Sequence, residues 1–351
     1  MSRLEERYRL LLRLLPAAYR QEWEDDMVAA FLESMDTGDP ETTAYLADYG
    51  RPSLSEAASI VALAVRLRLR ADTSPRSRVW GHAVQLATLM LLLTHAVMVT
   101  GSIAIALWYS GKLAWLPAPA PEFALTTPAS IWSTTWNLAG YAWLPAYLAL
   151  VLGYRRVAQA VALLAIVPPI ITTAMAQAVG DEPLTVSPWA MRLVDVALLL
   201  AMAAFPHGAA PVSRRPWLLA LPIGIFLVAL PLFILQAVEP ALRLLDWPGL
   251  LCAAVAVAMA VHLTARATGR STRTLPWSLA FTLLAATALV LRAVTLPDFL
   301  DQAERTTLTT IASVQVVAVL TVGVPLAVSA LRALRNVPSA PAATPNPTTP
   351  S

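Results

Sequence analysis

Three ionisable side chains stand inside long apolar stretches, where a charge is costly and is therefore a candidate for function: Arg192, Asp195 and Arg292. Arg192 and Asp195 are three residues apart, so on a helix they share a face and can pair. Asp195 lies about 9 Å along that helix from Trp189, at 1.5 Å per residue. Arg292, in a later stretch, sits at a similar depth and is an alternative partner for Asp195. Such a cluster is either a self-neutralising structural pair or an outward-facing site for a ligand or proton. Histidine is the side chain that changes charge near neutral pH, and His95 and His262 both fall in apolar stretches. Each stands alone in its stretch and is read as a packing histidine. Neither has a second histidine four residues away or a carboxylate nearby in sequence, so no zinc site is expected. The single cysteine, Cys252, permits neither an intrachain disulfide nor a cysteine-based metal site. Phosphate-binding, nucleophile-elbow, His-Glu-x-x-His and Cys-x-x-Cys motifs are absent from the sequence. No catalytic residue, metal or cofactor is expected.

The elements that carry these groups follow from composition. The 351 residues are 57% hydrophobic and 13% charged, with a mean hydropathy of +0.61. Soluble domains carry about a quarter charged residues, so lipid is the expected solvent for most of the chain. Stretches of about 20 apolar residues, the length that crosses a bilayer, fall at 81–108, 131–152, 157–178, 189–206, 217–237, 247–266, 277–296 and 308–331. The fold class is therefore all-α: a polytopic transmembrane helix bundle of about eight spans, preceded by a small cytoplasmic helical domain. The pI near 9.2 fits a nucleic-acid binder as well. The basic residues sit beside the apolar spans, however, so no nucleic-acid partner is expected and membrane lipid is. Lys112 is the only lysine, and this arginine bias, with the Ala and Leu richness, points to a high-GC bacterial genome, actinobacterial in character.

Arginine placement orients the spans. Arg66, Arg68, Arg70, Arg76 and Arg78 precede the first span; Arg155 and Arg156, then Arg214 and Arg215, then Arg266, Arg270 and Arg273 occupy alternate loops; Arg332 and Arg335 follow the last. The intervening loops carry Asp181 and Glu182, Glu239 and Asp246, and Asp298 and Glu304. The positive-inside rule then places both termini in the cytoplasm of a multi-pass protein of the bacterial inner membrane. The first thirty residues lack a continuous apolar core, so the first span is expected to act as an uncleaved anchor. Trp80, Trp108, Trp189, Trp217, Trp247 and Trp277 fall at span ends, where indoles commonly sit among headgroups. The outer loop 109–130 is expected to lie along the bilayer surface. Pro145, Pro168, Pro169, Pro222, Pro231 and Pro325 lie inside spans and kink them. Pro216-Trp217 and Pro276-Trp277 recur about 60 residues apart, as tandem helical hairpins of like length would produce.

Four segments result: 1–50 is a cytoplasmic helical prefix, 51–80 a juxtamembrane amphipathic basic helix and linker, 81–332 the eight-helix bundle, and 333–351 a disordered cytoplasmic tail. Within the prefix, Leu4, Tyr8, Leu11, Leu12 and Leu15 form an apolar stripe, and Pro16 separates the first helix from a second. On the second, Tyr19, Trp23, Met27, Phe31 and Met35 recur at four-residue spacing. Ser53-Leu54-Ser55-Glu56 reads as a capping box opening a third helix, which runs to about Ala71. The run 11–20, with Leu15-Pro16, Tyr19-Arg20, Trp23, Asp26-Met27 and Phe31, resembles the permease-prefix and HAAS-type helical domains of bacterial membrane proteins. Glu24 stands where that pattern usually has Gly, and Asp26 where it has Glu. The resemblance covers roughly 40 residues and implies a cytoplasmic interaction module, with Pro16, Tyr19, Arg20, Trp23, Asp26 and Met27 as docking candidates and no catalytic residue. A membrane-bound sensor or regulatory protein, docking a cytoplasmic partner through residues 1–50, is the first functional reading. A transporter or permease-like component using Arg192, Asp195 and Arg292 is the alternative. A lipid-modifying membrane enzyme ranks last, because no acid, base and metal gather at one interface.

Overall fold

The computed structural model describes residues 3–15, 17–35, 38–39, 52–69, 75–113, 138–179, 186–204, 213–231, 233–234, 246–269, 275–300 and 305–337. Pro16, most of the outer loop and the tail beyond Val337 lie outside the described residues. Every regular element among those described is helical. They fall into two compact units, the first holding the residues up to Gly81 with Ala203 and Ala204, the second the rest.

The first unit holds α1 (Arg3–Leu12), α2 (Ala17–Ser34) and α3 (Leu54–Leu69). Leu4, Tyr8, Leu12 and Leu15 meet Val28 and Phe31 of α2 and Ile60 and Ala64 of α3 in one closed core. The rings of Tyr8 and Phe31 stack face to face at 4.0 Å. Arg9 on α1 ties to α2 through Glu24 at 3.4 Å and Asp25 at 3.1 Å, while also bonding Glu5. The Ser53 hydroxyl accepts the Glu56 amide at 3.1 Å, the capping contact read from the sequence. Because α3 contributes Ile60 and Ala64, this core does not end at residue 50 but continues through the segment assigned to a juxtamembrane helix. The expected apolar stripe on α2 is also corrected. Trp23 is 44% exposed, while Phe31 is buried. A helix turns once per 3.6 residues, so four-residue spacing drifts and sets Trp23 about 80° around from Phe31.

Among the described residues, eight helices lie wholly or mostly in the second unit, each on an apolar stretch. They are α4 (Pro75–Tyr109), α5 (Trp143–Leu152), α6 (Arg155–Val179), α7 (Ser187–Ala204), α8 (Arg214–Gly224), α9 (Trp247–Ala267), α10 (Leu275–Thr295) and α11 (Arg305–Arg335). Five of these segments are long and apolar enough to cross a membrane: Pro75–Trp108, Arg155–Val179, Trp247–Ala267, Leu275–Phe299 and Arg305–Arg335. The segment Gly140–Leu152 is a shorter apolar helix. Large apolar side chains point outward along the unit, among them Leu164, Phe226, Val257, Val290 and Val314, each more than half exposed. An aqueous surface of this kind would aggregate, so lipid is the solvent that suits it. Packing between the helices then rests on close van der Waals fit rather than on water release. Gly323 of α11 sits against Met259 and Ala285, and Gly101 of α4 against Ala229.

Two local features shape the bundle. Gly153, at φ +96°, closes α5 and lets α6 begin two residues later; the Tyr154 amide reaches back to the Ala149 carbonyl at 2.8 Å. A side chain at that φ would be strained, which is why glycine turns this hairpin. Pro222 sits inside α8, and the helix continues beyond it as a π-helical turn over Ile225–Ala229. Proline removes a backbone donor, and a wider turn is one way for a helix to absorb that loss.

Of the six span-end tryptophans, Trp108 and Trp217 are buried against neighbouring residues. Trp217 and Trp277, the paired Pro-Trp positions, stack with their planes 3° apart. The Tyr147 hydroxyl donates to the Trp217 carbonyl at 2.6 Å.

Candidate functional site

The ionisable groups of the bundle form two adjoining clusters, and the sequence-predicted trio divides between them. In the first, Arg192 and Asp195 pair on α7 as their spacing predicts, Arg192 Nη1 donating to Asp195 Oδ2 at 3.1 Å. The other carboxylate oxygen, Oδ1, lies 3.1 Å from Nε2 of His95 on α4. His95 is thus not an isolated packing residue. Its Nδ1 is 2.9 Å from the Leu91 carbonyl one turn earlier. Two indoles lie against the imidazole, Trp143 at 4.7 Å and Trp247 at 5.1 Å, each tilted to it. Those indoles are the first residues of α5 and α9, so four helices converge on one ring. Asp195 and His95 are both buried.

Arg292 does not reach Asp195. It belongs to the second cluster, where Asp246, the residue before Trp247, caps α9 by accepting the Gly249 amide at 3.1 Å. Pro248 in the first turn suits that start, since its missing N–H would have had no intrahelical partner. Arg292 of α10 donates through Nη1 to both carboxylate oxygens of Asp246, at 2.9 and 2.7 Å. Its Nη2 donates to Gln315 Oε1 of α11 at 2.6 Å. The guanidinium carbon lies 5.1 Å from the centre of the Phe299 ring. At 2% exposure Arg292 is the most buried charged residue among those described. The cluster neutralises its own charge and joins α9, α10 and α11. Gly249 is required by the close fit: a Cβ there would meet Asp246 Oδ1 at 2.6 Å and the Gln315 amide at 2.9 Å. Gly249→Ala is therefore expected to destabilise the bundle by about 1–3 kcal/mol, the usual cost of overpacking. Thermal unfolding in detergent measures this, and an unchanged midpoint would show that the cluster yields freely.

The remaining candidates are quieter. His262 contacts the Ser278 hydroxyl at 3.1 Å and lies 5.3 Å from the Phe281 ring. The Cys252 thiol is buried against the Ala288 carbonyl at 3.6 Å. Among the described residues no three His, Cys, Asp or Glu side chains gather where they could hold a metal ion. In the first unit, Tyr19 and Met27 pack against the core, while Trp23 and Asp26 face outward. Arg20 lies 4.0 Å from Glu24 along α2. Pro16 is outside the described residues.

Sequence reasoning missed His95 as a partner of Asp195, read Asp246 only as a loop acid, and missed Gly249 and Gln315 altogether. The one signal available was Asp246-Trp247-Pro248-Gly249, an N-cap followed by proline in the first turn. Comparisons with protein-family models, with curated proteins and with solved structures found no match.

Proposed function

We propose that this chain is a multi-pass sensor or regulatory protein of the bacterial inner membrane, whose eight-span bundle responds within the membrane and whose prefix docks a cytoplasmic partner. The arginine bias of alternate loops supports eight spans with both termini inside, and each of the eight apolar stretches carries a helix. One observation carries the docking half of the reading. The first unit closes its own core and still leaves the Trp23 indole 44% exposed, beside the outward-facing Asp26. An exposed indole on a small rigid domain is a common anchor for a protein partner. The resemblance of residues 11–31 to HAAS-type and permease-prefix domains points the same way.

Affinity capture from native membranes tests this. Intact protein is compared with a variant lacking residues 1–50, once both are shown to insert equally. A cytoplasmic protein retained only by the intact form is the expected result. Identical captures would end the docking reading.

The buried His95–Asp195–Arg192 cluster favours a second reading, a transporter or permease-like component with its polar site there. Under that reading Asp195→Asn abolishes transport at normal expression, whereas under the docking reading it leaves partner capture intact.

A further inference from the structure

The protonation of the His95–Asp195 pair is constrained by its contacts alone. His95 Nδ1 lies 2.9 Å from the Leu91 carbonyl. A carbonyl oxygen only accepts, so that contact is a hydrogen bond only with a hydrogen on Nδ1. The ring's other nitrogen, Nε2, faces Asp195 Oδ1 at 3.1 Å. A neutral imidazole has one hydrogen for these two acceptors, so beside an ionised carboxylate one of the two contacts sets lone pairs against each other. Hydrogen bonds at both contacts require one more proton, held either on Nε2 as an imidazolium facing a carboxylate or on Oδ1 as a carboxylic acid facing a neutral ring. Both forms have the same composition and differ only in where the proton rests.

We infer that His95 and Asp195 form a binding site for a single proton inside the membrane bundle, and that this proton is the ligand to which the bundle responds. Arg192 Nη1 holds the second oxygen of Asp195 at 3.1 Å and fixes the carboxylate plane. The rings of Trp143 and Trp247 lie 4.7 and 5.1 Å from the imidazole, each tilted to it. The charged and titratable groups on the packed elements can be named. The helix α7 brings Arg192 and Asp195; α9 brings Asp246, already held by Arg292, and the buried Cys252; α5 brings Tyr147, whose hydroxyl is bonded to the Trp217 carbonyl. None of the last three bonds to His95. Among the described residues, Asp195 is the titratable side chain that bonds the ring.

Occupancy also controls geometry. Helices α4, α5, α7 and α9 meet at this ring, and removing the proton leaves it one hydrogen for two acceptors, the Leu91 carbonyl of α4 and the Asp195 carboxylate of α7. That gives the bundle a means of converting proton binding into a change of helix packing, and it rests on the reading of the bundle as the responding element. It does not depend on what the prefix docks.

Nuclear magnetic resonance of the full chain, labelled with nitrogen-15 at histidine and held in lipid nanodiscs, tests the inference. The chain has four histidines, and His95→Gln identifies the signal. The wild-type ring is expected to carry hydrogen on Nδ1 and to share a second proton with Asp195. In Asp195→Asn the side-chain amide donates to Nε2 without any added proton, and its carbonyl still accepts from Arg192. The His95 ring is then expected to stay neutral, with hydrogen on Nδ1 only and its exchangeable proton lost. A wild-type ring with bare Nδ1 overturns the inference, as does a pH response that Asp195→Asn leaves unchanged. The wild-type spectrum decides even if the variant does not fold. A failed partner capture with a positive spectrum would remove the docking reading alone, and a partner captured with a negative spectrum would remove only the proton as ligand.

Discussion

Arg292→Met is expected to destabilise the membrane bundle by about 3 kcal/mol, the lower end of the range for breaking a buried ion pair. The change removes the donor to both oxygens of Asp246 and to Gln315, and it leaves Asp246 facing a thioether. The lower end applies because the Asp246 side chain is 27% exposed and keeps part of its water. Methionine fills most of the volume beside Phe299, so little of the loss comes from a cavity. Adding Asp246→Asn to Arg292→Met is expected to recover part of the stability, because the amide still caps α9 without a charge to strand. Unfolding followed by circular dichroism in detergent measures both. A loss below about 1 kcal/mol, the value typical of solvated pairs, would mean that water reaches the cluster freely.

Phe31→Ala is expected to cost the first unit about 3–5 kcal/mol. Phe31 is buried against Tyr8 at 4.0 Å and meets the core residues of α1 and α3. Small domains hold only a few kcal/mol in reserve, so this single truncation should unfold the unit while the bundle unfolds as before. Rapid proteolysis confined to residues below Gly81 is the expected signature. Trp23→Ala provides the contrast. Its side chain is 44% exposed, so stability should change by about 0.5 kcal/mol or less, yet partner capture should be lost. If Trp23→Ala captures the partner as well as wild type does, the indole is not the anchor.

Much of the fold was legible because lipid writes a simple code: long apolar stretches, arginines between them, prolines and glycines at the turns. The helix starts at Ser53 and Asp246 carry their own cap residues, and the Arg192–Asp195 contact follows from a spacing of three on one helix. What escaped were contacts between helices. His95 and Asp195 are 100 residues apart, and Asp246 and Arg292 are 46 apart. No periodicity links such positions, so Asp246 read as one acid in an outer loop and Arg292 was assigned to the wrong carboxylate. Trp23 was misread for a local reason, since spacing by four approximates a helical face over one turn and leaves it over two. Which span-end tryptophans are covered was not legible, because only the neighbouring helix decides whether an indole there is buried.

The two indoles beside His95 also have an optical consequence. A protonated imidazole accepts an electron from an excited indole far more readily than a neutral one does, and two of the chain's eleven tryptophans lie against this ring. Proton arrival at the site should therefore dim the emission of Trp143 and Trp247 selectively. The other nine supply a steady background. The bundle is thus built with its own fluorescent indicator, readable in intact membranes without an attached dye.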